Sequence, residues 1–429
     1  MSNSNRFDKI CRFLMRNNAS LSSTVDLEGE NLHGEGAKRL ASSLAHNSTI
    51  TRLCLRHCYV HDSDMTELAA ALWRNRHRIV ALDLKDNFIS HQGVGPIADA
   101  LLQQVTGETS LRYFRLDSNG VGDVGASALA SALRSNRTLQ SLGLGDNGIG
   151  TLGALDLCDA LKMNAAIPLA RLDLSRNEGL DDRGIEIVAS YLKHSRYLTR
   201  LGLSRVKMGD EGATAIADAL RSNSSIAKID LSHNKITKDG ATEIASALET
   251  NCSLRSINLC HNNISDDGAS NIAFCLFRNE FLMTLDLKDC GICSVGASCL
   301  AIALQKNYAV QKLYLGENME ISNSIQMFID EALGKNGNPT SQKKKKARFC
   351  LTREKVEDMP SLPKKRLLFV LWIAQKIDAG RIANYVQPLG ADIWWTILGI
   401  LCGSDLVHTV PNAIDSWPQI FDYQYCHHF

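Results

Sequence analysis

The chain has 429 residues, a net charge of +1 and 45% apolar residues. That exceeds the roughly 250–300 residues one globular core serves, and no apolar run approaches the ~18 residues that would predict a membrane span. The opening MSNSNRFDKI has no apolar stretch of the kind a secretory leader needs. Charge is placed unevenly: residues 334–366 hold 11 Lys/Arg against 3 Asp/Glu, and the other residues hold 36 against 43. A mildly acidic body is thus followed by one basic segment. Thirteen cysteines would suit a disulfide scaffold in a secreted chain. Without a leader, and at positions otherwise filled by Leu, Ala or Asn, they predict reduced thiols and an intracellular, cytoplasmic protein.

Residues 1–24 place Phe7, Ile10, Cys11 and Leu14 at helical spacing, followed by Asn17, Asn18 and Leu21. This predicts a short capping helix at the edge of a repeat array. Residues 25–333 then repeat. Apolar strand positions recur at Val25, Leu53, Leu82, Phe114, Leu142, Leu172, Leu201, Ile229, Ile257, Leu285 and Leu313, at steps of 28, 29, 32, 28, 30, 29, 28, 28, 28 and 28 residues. Within one copy, Ile229 and Leu231 alternate with Asp230, as in a short strand with one buried face. Ala241, Ile244, Ala245 and Leu248 then share one helical face. One strand and one helix cannot bury their own apolar faces, whereas stacked copies can. The longer steps add residues near 104–107 and 167–168, in loops rather than in elements.

LxLxxNxI followed by GAxxIAxAL at this period resembles the leucine-rich repeat of the ribonuclease-inhibitor type. Similar repeats occur in nucleotide-binding leucine-rich-repeat sensors and in the Ran GTPase-activating protein. The resemblance implies an α/β solenoid of about eleven repeats, with a parallel sheet on the concave side of a horseshoe and helices outside. It also implies that the Asn of LxxN bonds backbone groups of the turn. That residue is present as Asn87, Asn119, Asn147, Asn177, Asn234, Asn262 and Asn318, is Cys at Cys58 and Cys290, and departs at Glu30 and Val206. Valine has no side-chain hydrogen bonds to offer, so the turn at Val206 is expected to be looser or rebuilt.

After residue 333 the pattern stops. Residues 334–363 combine Gly, Pro, Ser and a lysine run, a basic flexible linker. Residues 364–429 carry helical patterns at 367–377, 381–386 and 392–401 and four of the five tryptophans (Trp372, Trp394, Trp395 and Trp417), which predicts a small, mainly helical tail. Lys343, Lys344, Lys345 and Lys346, with Lys364, Lys365 and Arg366, also leave nuclear import open.

Chemical motifs are thin. Gly143-Leu-Gly145-Asp-Asn-Gly148 and Gly120-Val-Gly122-Asp-Val-Gly125 match GxGxxG, but both fall in register with the repeat and lack the acidic residue of a dinucleotide site. Cys290 and Cys293 form a lone CxxC where zinc needs about four ligands. Cys426, His427 and His428 read as a frayed end. Asn47, Asn136, Asn223 and Asn251 begin N-x-S/T triplets that read as helix ends of the repeat. No hydrolase, nucleotide or metal motif stands out, so no cofactor, metal or small-molecule substrate is expected. No aromatics interleave with the lysines, so nucleic acid is not expected either.

The concave face is readable instead. Its outward positions include Arg52, Arg56, Tyr113, Arg115, Arg171, Arg200, Lys228 and Tyr314, residue types that anchor interfaces. Arg171, Arg200 and Lys228 fall on three consecutive repeats. The expectation is a non-enzymatic scaffold or regulator that binds a protein partner on this face. The alternative is a GTPase-activating regulator like the Ran protein, whose family ends in an acidic tail where this chain turns basic.

Overall fold

A computed structural model describes residues 3–16, 23–75, 78–102, 110–319 and 321–336. The tail at 364–429, nearly all of the basic linker and the extra residues at 104–107 lie outside the described residues. Helices and strands alternate along the chain. The strands are β1 (Thr24–Asp26), β2 (Arg52–Cys54), β3 (Ala81–Asp83), β4 (Tyr113–Arg115), β5 (Ser141–Gly143), β6 (Arg171–Asp173), β7 (Arg200–Gly202), β8 (Lys228–Asp230), β9 (Ser256–Asn258), β10 (Thr284–Asp286) and β11 (Lys312–Tyr314). Each has as its middle residue one of the apolar positions expected from the repeat.

The chain divides into two compact units. In the first, residues up to Ile236 with Ser246–Asn262, strands β1 to β9 pair in parallel with their chain neighbours in full register. In the second, Thr237–Ala245 with residues from Asn263 onward, β10 pairs with β11. The fold class is the α/β solenoid of leucine-rich repeats. The helix Asn3–Arg16 buries Phe7, Cys11 and Leu14, and Asn47 Nδ2 donates to Leu14 O at 3.0 Å.

Two asparagine ladders hold the repeats together. Asn177 is typical of the first: its Nδ2 donates to Leu144 O of the preceding repeat (2.9 Å) and to Leu174 O of its own (2.8 Å). Its Oδ1 accepts from the backbone of Asn147 and Ile149, both at 3.0 Å. Where Cys replaces Asn, the Cys58 thiol donates to Leu27 O at 3.0 Å. The backbone at Val206 keeps the pairing that the ladder gives the other turns. Val206 is fully buried, and its own N–H and that of Met208 both donate to Asn234 Oδ1 (3.1 and 3.2 Å). Leu174 O already has Asn177 as donor, but valine offers no acceptor to the N–H groups of Asn177 and Gly179, which stand where Asn147 and Ile149 stand against Asn177 Oδ1.

The second ladder sits at the helix ends. Asn251 Nδ2 donates to Leu220 O and Asn223 O, while its Oδ1 accepts from the backbone of Ser253 and Leu254. Asn47, Asn136, Asn223 and Asn251, which begin the N-x-S/T triplets, are all buried. The triplets follow from this ladder: the residue two places on donates its N–H to the Asn, as Thr49, Thr138, Ser225 and Ser253 do.

The helices are capped from the repeat before. Asp182 Oδ1 accepts from the N–H groups of Gly209 (2.7 Å) and Gly212 (3.0 Å), the N-cap and third residue of the helix Asp210–Ser222. Asp62, Asp123 and Asp266 do the same for Ser90 and Gly93, Gly150 and Gly153, and Cys293 and Gly296. A helix begins with unpaired N–H groups, and a carboxylate there also meets the positive end of the dipole. Asp182→Ala is therefore expected to cost about 1 kcal/mol of stability, the usual worth of an N-cap; an unchanged urea midpoint would show the carboxylate to be dispensable.

The ten described cysteines are all free thiols. Burial pushes Cys58 and Cys158 up to about 12 and Cys299 up to about 11. The thiolate is the nucleophile, so at neutral pH an alkylating reagent should modify exposed Cys252 well before these three. Mass mapping that found Cys158 modified first would refute this packing.

Candidate interaction face

Side chains alternate across a strand, so the first and third residues of each repeat strand point away from the buried middle residue. In the first unit this places Arg171, Arg200 and Lys228 directly opposite one another on β6, β7 and β8. All three are exposed. Arg171 reaches Asp173 at 3.8 Å, half exposed, a pairing worth little in water. Arg200 and Lys228 form no ion pair within 4 Å among the described residues.

The other candidates divide. Arg56, Asp83, Arg115 and Asp117 form a chain of alternating charge over β2, β3 and β4: Arg56 Nε lies 3.1 Å and Arg115 Nη1 3.6 Å from Asp83 Oδ2, and Arg115 Nε lies 3.2 Å from Asp117 Oδ2. The Arg56 Nε–H is buried without a well-aimed acceptor, so that contact is electrostatic rather than a hydrogen bond. These two arginines are already engaged within the sheet. Arg52 and Tyr113, both exposed, stand two strands apart with Ala81 between them. Tyr314 belongs to the second unit, where the Lys288 ammonium lies over its ring at 5.0 Å.

A further row was missed from the sequence. The residue before each ladder position has left-handed backbone: His57, Asp86, Ser118, Asp146, Arg176, Arg205, His233 and His261 in the first unit, with φ between 53° and 61°. Their N–H groups continue the sheet; Arg176, for example, donates to Ser204 O and Arg205 to Ser232 O. The fixed offset from LxL carried the signal, but the periodicity of buried residues cannot report an outward position. In repeats six and seven the row adds exposed Arg176 and Arg205. Between the two cationic rows runs a low floor of Asp173, Gly202 and Asp230, then Ser175, Ser204 and Ser232. Ser232 Oγ donates to Ser204 Oγ at 3.0 Å and Ser204 N to Ser175 Oγ at 3.3 Å. At the strand rise the two rows are roughly 15 Å apart.

The GxG glycines have a local explanation here. A Cβ on Gly143 would stand 2.4 Å from Asp117 Oδ2, and the Gly145 N–H donates to Asp117 Oδ1 at 3.2 Å. The missing side chains make room for a neighbour's carboxylate. Cys293 likewise donates its thiol to Asp266 Oδ2 at 2.6 Å, and Cys290 is a buried ladder residue.

A leucine-rich repeat model matches residues 108–130, 135–158, 194–217, 222–245, 250–273 and 278–301. No curated protein matches the sequence. Among solved structures, the chain is similar to actin-binding site 2 of leiomodin-1 (18% identity, 44% of this chain and 93% of that one, TM-score 0.31). It is also similar to the tropomodulin C-terminal domain of Caenorhabditis elegans (16%, 37% and 97%, 0.33) and to an internalin of Listeria monocytogenes (14%, 77% and 93%, 0.44). No helix of the described residues is long and apolar enough to cross a membrane. The six matched windows fall in phase with β4, β5, β7, β8, β9 and β10, so the chain carries leucine-rich repeats in the register that the strands show.

Proposed function

We propose that this protein is a non-enzymatic scaffold or regulator, and that the open face of β6 to β8 holds an acidic segment of a protein partner. The observation that supports it is the in-register row Arg171, Arg200 and Lys228, with Arg176 and Arg205 as a second row across a floor of Gly202, three serines, Asp173 and Asp230, so that five cations face two carboxylates. Like charges held on adjacent strands repel one another, and an acidic partner relieves that repulsion. Gly202 and the serines leave the middle of this floor low, where a main chain would approach. Tyr113, 42% exposed on β4, supplies an amphipathic anchor two strands away from Arg171.

The test compares the partners recovered by proximity labelling with wild-type chain, with Arg171→Glu/Lys228→Glu and with Tyr113→Ala. The double charge reversal should remove a partner whose wild-type binding weakens steeply with salt, and Tyr113→Ala should weaken it. Partners unchanged by the charge reversal would place binding elsewhere.

A further inference from the structure

The geometry points to a second kind of site on the first unit, independent of the partner proposal. We propose that His233, His261 and Cys260 bind a divalent zinc ion, with water in the fourth position. The three ligand atoms lie within 4.8 Å of one another, and none of the residues is fully buried. Their placement follows from the repeat. His233 and His261 occupy the same left-handed position of successive repeats, with φ of 53° and 55°. His233 N donates to Cys260 O at 2.8 Å, and Asn234 and Asn262 fix the two turns. Equal backbone in adjacent turns sends both imidazoles the same way, and their rings stack at 3.9 Å with 13° between planes.

Neutral imidazole is the form that binds metal. Two imidazoles and a thiolate form a donor set suited to zinc, with metal–nitrogen and metal–sulfur distances of about 2.0–2.1 and 2.3 Å. Each ring must tilt out of the stack to aim a nitrogen at the ion. On binding, the Cys260 thiol loses its proton to solvent, and the thiolate and Asp230 counter the repulsion from Arg176 and Arg205.

The full chain, reduced and free of metal, would be titrated with Zn²⁺ against a chromophoric chelator and with Co²⁺ followed by absorbance. One equivalent should bind, and cobalt should show a thiolate charge-transfer band with tetrahedral visible bands. Cys260→Ser should abolish the charge-transfer band, and His233→Gln or His261→Gln should weaken binding on the order of tenfold or more, each with unchanged circular dichroism. The chain has 13 cysteines and 12 histidines, so binding elsewhere is a real alternative. Affinity and spectra that survive all three substitutions would overturn the proposal, as would the absence of any equivalent bound.

Discussion

Asn177→Leu should destabilise the first unit by roughly 3–5 kcal/mol, near the upper end for a single substitution. Asn177 is fully buried and satisfies four backbone groups: Leu144 O, Leu174 O and the N–H groups of Asn147 and Ile149. Leucine is close in volume, so little of the loss comes from packing. Each buried group left without a partner costs about 1–3 kcal/mol, moderated where water enters the turn. Asn177→Cys should cost less than Asn177→Leu, since Cys58 shows that a thiol can donate to the preceding repeat's carbonyl. Urea unfolding with hydrogen exchange at Asn147 and Ile149 measures both. A midpoint change worth less than about 0.5 kcal/mol for the leucine variant, the scatter of ordinary surface substitutions, would mean the ladder contributes nothing.

Gly212→Val should cost about 3 kcal/mol, combining overpacking with loss of a helix cap. A Cβ at this position would stand 2.6 Å from Asp182 Oδ1 and 2.7 Å from Met208 Cγ. Glycine inside a helix is ordinarily about 1 kcal/mol worse than alanine, so a residue chosen for helix stability would not be glycine. It is present because the carboxylate of the preceding repeat must reach the helix's first N–H groups. The same pairing recurs with Asp62 and Gly93, Asp123 and Gly153, and Asp266 and Gly296, where the added atom would fall 2.4 to 2.6 Å from the carboxylate. A double-mutant cycle isolates the cause. Gly212→Ala should destabilise the wild type, yet in an Asp182→Ala background much of that cost should vanish because the space is vacant. Additive costs would show that Met208, and not the cap, excludes the side chain.

Charge reversal on the open face is the complementary expectation. Arg171→Glu/Lys228→Glu should leave the midpoint nearly unchanged, because exposed cations without good partners contribute little to stability. A large loss of stability would mean that these residues hold the sheet rather than a partner.

The repeating sequence by itself determined the fold. Period, strand and helix faces, and the middle residue of each strand are set by which side chains must leave water, and burial writes itself as spacing. It also placed the row Arg171, Arg200 and Lys228, because register follows once the period is fixed. Tertiary structure decided what depends on a neighbour 26 to 33 residues away. That Gly143 accommodates Asp117, that the triplet asparagines form a buried ladder, and that Asn234 holds the backbone at Val206 are each properties of two repeats together. Only there do Arg56 and Arg115 meet Asp83, which removes them from the available cations. His233 and His261 are one position in two copies, and nothing in either copy alone says that their rings meet. A periodic pattern reports what each residue does for its own repeat, whereas charge pairing and ligand geometry are settled by distances between repeats.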